Sequence, residues 1–217
     1  MLKVFIGYDP RQPIAFQVLC HSIWKRASKP VEIIRLQLNQ LPIKRVGLTE
    51  FTYSRYLVPY LCDYRERAIF MDADMLCLAD IYELEERALQ NYCGVSVVFN
   101  KRRFEWPSLM VFDNQSCKNL RLENIENGTP QNFEWVTKVG QLPSEWNHIV
   151  GYDPPRKDAK IVHFTAGIPC WPETKDCEYA EEWRKEAAEQ FSSVSWEALM
   201  GKSVHRPVVA AMQAIAA

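Results

Sequence analysis

Two acids one residue apart, Asp72 and Asp74, close an apolar run (Ala68, Ile69, Phe70, Met71) and are followed by more apolar residues, Met75, Leu76 and Leu78. A buried strand that delivers two carboxylates to its carboxyl end can build a cation site on an α/β sheet. Side chains alternate along a strand, so as strand residues the two acids share one face, roughly 6–7 Å apart at the backbone. Carboxylates this close repel, and without a counter-charge one of them tends to keep its proton. A hard divalent cation removes the conflict, because carboxylate oxygens suit Mn²⁺ and Mg²⁺. On spacing alone, the alternative is a strand end with two solvated acids at a turn. His163 ends a second short apolar segment, with Gly167 close behind. Asp, Asp and His form a mixed oxygen and nitrogen set compatible with Mn²⁺ and less natural for Mg²⁺ or Ca²⁺. His21, inside an apolar helical pattern, reads as structural.

These residues need a scaffold that brings them together. Residues 3–7 form a short apolar strand, and Gly7-Tyr8-Asp9-Pro10 is a turn, since Gly permits a sharp bend and the residue before Pro avoids helix. Pro13 suits the first turn of a helix, in which Ile14, Ala15, Val18, Leu19 and Ile23 recur at helical spacing. Residues 31–36 alternate as a second strand, which completes a βαβ unit of a parallel sheet. Residues 38–50 are irregular. Residues 51–64 have helical spacing, with Ser54 and Arg55 on the polar side. The acidic strand 68–72 follows, then a helix over 81–90, a strand over 95–99 and a charged, aromatic loop over 102–107. A strand over 109–112 comes next, then a helix over 118–126 closed by Asn127-Gly128. Residues 132–142 fit no single pattern, 161–164 form a strand, and 179–191 form a charged amphipathic helix containing Trp183. In open α/β sheets ligands sit at the carboxyl ends of strands. Gathering Gly7-Tyr8-Asp9, Asp72-Ala73-Asp74 and His163 at one such edge places free backbone N–H groups, two acids and an imidazole around one crevice.

With 217 residues, the chain has ample length for a core. Its 26 Lys plus Arg balance 27 Asp plus Glu, against the basic excess of a nucleic-acid binder. No apolar run reaches the roughly 18 residues of a membrane span, and the first residues run straight into a strand instead of a signal peptide. The expectation is a cytoplasmic protein of bacterial or viral type without a membrane anchor. Seven cysteines are widely spread with no CxxC, and read as reduced thiols instead of a disulfide framework or zinc site. Of seven Trp, Trp106, Trp146 and Trp171 lie in polar, Pro-rich surroundings where a flat ring can also face a ligand.

Five stretches, in order, resemble the nucleotide-sugar-dependent glycosyltransferases of the GT-A fold, in particular those related to glycosyltransferase family 8. Val4-Phe5-Ile6-Gly7-Tyr8-Asp9 looks like the strand and turn that hold the nucleobase. Phe51-Thr52-Tyr53-Ser54-Arg55-Tyr56 looks like the helix whose Arg reaches the donor. Ile69-Phe70-Met71-Asp72-Ala73-Asp74 looks like the Asp-x-Asp motif. Pro107-Ser108-Leu109-Met110-Val111-Phe112-Asp113 is similar to the strand lining the sugar pocket. His163-Phe164-Thr165-Ala166-Gly167-Ile168-Pro169-Cys170-Trp171 looks like the metal-binding His loop.

The resemblance implies an α/β, Rossmann-like GT-A domain over 1–200, with a mixed, mainly parallel sheet flanked by helices. Residues 201–217 form a tail: frayed, docked as a helix, or the cut end of a longer chain. It implies transfer of a sugar from a nucleoside diphosphate donor, with UDP favoured, to a glycan or glycoprotein acceptor with retention. Asp72, Asp74 and His163 would hold Mn²⁺, with Mg²⁺ as the alternative. Gly7, Tyr8, Asp9, Tyr53, Arg55, Asp72, Ala73, Ser108, Gly167 and Trp171 would bind substrate. Arg55, Asp113, Gln131 and Glu134 are the catalytic candidates, and Trp146-Asn147-His148 the candidate acceptor side. Two departures stand out. The His loop lacks the Lys that often touches the diphosphate, so another cation, or metal and backbone alone, must serve. Pro107-Ser108 replaces the usual Asn with a small residue, which points to a donor sugar other than glucose or galactose. The competing readings are a non-catalytic sugar-nucleotide-binding domain of a larger enzyme, a sugar nucleotidyltransferase and a haloacid-dehalogenase-type phosphatase.

Overall fold

The unbroken run Val4-Phe5-Ile6 requires a strand covered on both faces, and β1 (Leu2–Gly7) is buried almost throughout. In the computed structural model, which describes residues 1–100 and 102–191, β1 feeds α1 (Pro13–Arg26). Pro13 opens that helix, where its missing N–H leaves no bond unmade. The chain returns along β2 (Val31–Leu36), parallel to β1. Then α2 (Phe51–Ser54) and α3 (Val58–Leu61) lead to β3 (Arg67–Asp72), also parallel to β1. There follow β4 (Met75–Cys77), α4 (Ile81–Leu89), β5 (Val95–Val98) and β6 (Leu109–Asp113). The remaining elements are α5 (Leu122–Asn127), β7 (Val139–Leu142), β8 (His148–Ile149), β9 (Ile161–His163) and α6 (Ala180–Phe191). The expected tail over 201–217 lies outside the described residues.

The main sheet has the order β2-β1-β3-β6-β5-β7. Only β6 runs against its neighbours, so the sheet is mixed and mainly parallel, as expected. A small second sheet, β4-β9-β8, sits beside it. Alternation sorts the strand residues between two cores: Val4, Ile6, Ile69 and Met71 join one with α1, while Phe5, Ala68 and Phe70 join the other with Phe51 and Tyr56. All seven cysteines are free.

The two helices α1 and α6 are tied by charge. Glu186, 2% exposed, meets His21 Nδ1 at 2.5 Å and Arg26 Nη2 at 2.8 Å. Lys25 pairs with Glu189 on the rim. His21, Glu186 and Glu189 form a cluster of ligand-type groups, but these bonds already engage it with cations.

Three expectations change. Residues 51–64 do not form one helix: a 3₁₀ turn, Arg55–Leu57, separates α2 from α3. Pro59 is the reason, because it has no N–H to donate to the Arg55 carbonyl in a continuous helix. The loop over 102–107 is a 3₁₀ turn, Arg103–Ser108. The undecided stretch over 132–142 yields β7.

Candidate active site

Strand β3 ends at Asp72, so its neighbour acid is not presented by strand alternation. Ala73 and Asp74 turn the chain into β4, whose first residue Met75 lies opposite His163 of β9. The Phe164 N–H donates to the Asp74 carbonyl at 2.9 Å and fixes this junction. As a result a carboxylate oxygen of Asp72, one of Asp74 and a ring nitrogen of His163 all lie within 4.8 Å of one another. His163 Nε2 is 3.4 Å from Asp74 Oδ1. Asp72 and His163 are buried and Asp74 partly so. Asp72 Oδ1, Asp74 Oδ1 and His163 Nδ1 have no hydrogen-bond partner among the described residues. Buried polar atoms are normally paired. These two carboxylate oxygens have ion-pair neighbours in Arg55 and His163 but no hydrogen bond, and together with the imidazole they fit a divalent cation that takes oxygen and nitrogen ligands.

The protonation pattern follows from this packing. Burial pushes the Asp72 carboxyl up to about 7, against Arg55 and with help from Asp74. Burial also opposes charge on Asp74, but the facing His163 outweighs it and holds that carboxyl below its ordinary value. Burial disfavours the imidazolium of His163, yet Asp74 leads a set of acids that raises it to about 9. The proton on His163 thus offsets charge that a bound cation would otherwise offset.

Arg55 supplies the fixed positive charge. Its Nη2 donates to Asp72 Oδ2 at 3.4 Å and lies 3.2 Å from Oδ1, while Nε donates to the Phe51 carbonyl. The rings of Phe51 and Phe70 flank the guanidinium. A cleft of about 610 Å³ opens over these groups, and Tyr53, Arg55, Asp72, Asp74, Gln131 and His163 all line it.

The other expected residues fall into three groups. Gly7 sits beside Asp72 in the sheet register, and a Cβ there would lie 2.5 Å from Phe51 Cγ, so Gly7 allows Phe51 to wall the cleft. Ala73 is buried in the turn between the acids, and Ser108 is buried beneath the wall, where it donates to the Glu105 carbonyl and accepts from Asn147. Tyr8, Asp9, Gly167 and Trp171 are not among the cleft-lining residues. Tyr8 packs on Phe16 and under Arg35, Asp9 pairs with Arg11, and Gly167 takes φ +128° with Trp171 against it. The structure does not bring the catalytic candidates Asp113 and Glu134 into the cleft. Strand β6 is antiparallel, so Asp113 pairs with Arg67 at the start of β3, five residues or about 17 Å from Asp72. Glu134 is exposed and outside the cleft lining, between Phe133 and Trp135, which are both buried.

The residue that sequence reasoning missed is Glu105. It lines the cleft and is 5% exposed, with Oε1 accepting from Thr165 Oγ1 at 2.9 Å and Oε2 3.9 Å from His163 Nδ1. Its one sequence signal is a lone acid between Phe104 and Trp106. Arg103 and Phe104 line the same cleft. Trp146, Asn147 and His148 are fully buried, and His148 borders a separate cleft of about 630 Å³ with Arg102 and Tyr152.

This sheet order and the crevice at its carboxyl edge define the GT-A glycosyltransferase fold. The bifunctional glycosyltransferase WbbM superposes with a TM-score of 0.63 at 16% identity, over 97% of this chain and 51% of its own. The chain therefore spans about half of WbbM. The galactosyltransferase LgtC, in complex with donor and acceptor sugar analogues, gives 0.59 at 12% identity over 90% of this chain and 98% of its own. GlyE of Streptococcus pneumoniae gives 0.61 at 15% identity over 95% and 64%. These likenesses establish the fold. No family model matches the chain. Within the fold, the chain is 33% identical to Protein CDI of Arabidopsis thaliana in a gapped alignment of 227 positions that covers 86% of each, and it belongs to that protein's family.

Proposed function

We propose that the chain is a metal-dependent glycosyltransferase related to family 8. It would move a sugar from a nucleoside diphosphate donor, with UDP favoured, to a hydroxyl of a glycan or glycoprotein, with retention. The observation that carries this is the meeting of Asp72, Asp74, His163 and Arg55 in one cleft at the carboxyl ends of β1 and β3. Asp72, Asp74 and His163 would hold Mn²⁺, or Mg²⁺, which when bound neutralises charge on a leaving diphosphate. Arg55 holds Asp72 in place and adds a positive charge that costs no reorganisation. Arg103 lines the cleft and is exposed, which suits it to the diphosphate contact that the His loop, lacking a Lys, does not make. Tyr53 and Phe51 wall the site, and Gln131 faces it from the opposite segment. UDP and retention rest on the resemblance to family 8 alone; LgtC, whose structure holds donor and acceptor sugar analogues, supports sugar transfer in general.

The test is a panel of nucleotide sugars, screened with and without Mn²⁺ for thermal stabilisation and for donor hydrolysis. A stabilising donor whose effect needs Mn²⁺ and disappears in Asp74→Ala supports the reading. Hydrolysis that is unchanged in Asp74→Ala, or a panel with no stabilising donor, overturns it.

A further inference from the structure

We propose that Glu105 is a positioning residue for His163: its carboxylate accepts a hydrogen bond from Nδ1–H and so presents Nε2 to the cation site. This rests on the metal-binding reading above. The imidazole is 1% exposed, so protein contacts alone orient it. Its two nitrogens face two carboxylates. Nε2 looks at Asp74 Oδ1 across 3.4 Å, and Nδ1 looks at Glu105 Oε2 across 3.9 Å. Nδ1 has no hydrogen-bond partner among the described residues. A buried ring N–H without an acceptor costs on the order of 1–3 kcal/mol, which a modest rotation of Glu105 would remove.

Glu105 is built to serve from behind the ring. The donor atoms that converge within 4.8 Å belong to Asp72, Asp74 and His163, and Glu105 is not one of them. Thr165 occupies its Oε1, which leaves Oε2 for the imidazole. Its backbone is anchored as well, since Ser108 Oγ donates to the Glu105 carbonyl at 2.6 Å and Asn147 Nδ2 donates to Ser108 Oγ at 2.9 Å. Among the described residues the Glu105 carboxylate, 5% exposed, is hydrogen-bonded at Oε1, which leaves Oε2 on the His163 side. Metal-ligating histidines usually give their other N–H to a carboxylate, a backbone carbonyl or a water, which fixes the ring and raises its basicity.

The experiment titrates Mn²⁺ into the full chain without donor, following free Mn²⁺ by its electron paramagnetic resonance signal. It compares wild type with Glu105→Ala, Glu105→Gln, Thr165→Val and Asp74→Ala, with circular dichroism and Tm alongside. The expected result is Mn²⁺ binding about 10–100-fold weaker in Glu105→Ala. Glu105→Gln keeps part of the affinity because its amide oxygen still accepts from Nδ1, and Thr165→Val loosens binding severalfold with the fold intact. Wild-type affinity in both Glu105→Ala and Thr165→Val overturns the assignment. If Glu105→Ala does not fold, Glu105→Gln and Thr165→Val decide in its place. Wild-type protein that binds no Mn²⁺ sinks the metal reading itself. Loss in Asp74→Ala with no loss at Glu105 or Thr165 sinks only the role of Glu105.

Discussion

Arg55 Nη2 lies 3.2 Å from Asp72 Oδ1 in the floor of the cleft, with each side chain nine-tenths buried. Such a pair is worth little when intact, but removing one partner leaves the other charge buried and alone. Arg55→Ala should therefore destabilise the protein by about 3 kcal/mol in urea unfolding. It should also abolish donor binding by removing the fixed charge. Arg55→Lys should recover most of the stability but less of the donor affinity, because an ammonium lacks the planar fork. Equal recovery of both would mean that Arg55 only supports the fold.

A ligand that binds only the folded state raises Tm. At a hundredfold excess over Kd the gain is about 2.7 kcal/mol. For a chain of 217 residues, that corresponds to roughly 5–10 °C. Mn²⁺ should give wild type a shift of this order, and Asp74→Asn and His163→Ala should show none. A full shift in both variants would place the ion elsewhere.

Arg103 tests how the chain does without a Lys in its His loop. Arg103→Ala should weaken UDP binding about tenfold, as expected for a lost charge-assisted hydrogen bond, and leave uridine binding unchanged. The difference should shrink at high salt, because Arg103 is exposed. Thermal-shift titrations with the two ligands make the comparison. Equal weakening of both would place Arg103 at the base instead of the diphosphate.

The parts of this site that were legible in the sequence are those that local pattern encodes. The apolar run into Asp72 and the strand end at His163 announce themselves, and Pro13 marks the helix that makes β1 and β2 parallel. What was not legible depends on direction and distance. The apolar run of β6 reads the same in either direction, so nothing local showed that Asp113 would fall at the wrong end of the sheet. Glu105 gains its meaning from Thr165, 60 residues away, and from His163. The two acids do meet, but through the turn into β4, a strand too short for periodicity to reveal.

Glu186 holds α6 against α1 through His21 and Arg26 while almost wholly buried. Glu186→Ala leaves His21 and Arg26 facing an apolar contact, and both are themselves partly solvated. The expected cost is about 2 kcal/mol, below the range for a fully buried pair. Hydrogen exchange should quicken along α6 and the facing side of α1 before it changes in β1 or β3. Uniform acceleration across the protein would show that α6 is part of the global folding unit.

Asp80 caps α4 by accepting from the Tyr82 N–H at 3.1 Å, and it also accepts from the Ser28 N–H. Burial alone would raise its carboxyl, but the bonds from Ser28 and Tyr82 prevail and hold it below the ordinary 3.8. A depressed folded-state value means that the charged form stabilises the fold. The contribution is complete above the unfolded value of 3.8 and is lost as pH falls below it through the folded value. Asp80→Ala should cost about 1 kcal/mol at pH 7 by removing the cap. Asp80→Asn keeps a capping oxygen and removes only the charge. Its deficit relative to wild type in thermal melts should stay constant from neutral pH down to about 5 and close in more acid solution. A deficit that persists at the lowest pH would come from the shape of the cap and not from its charge.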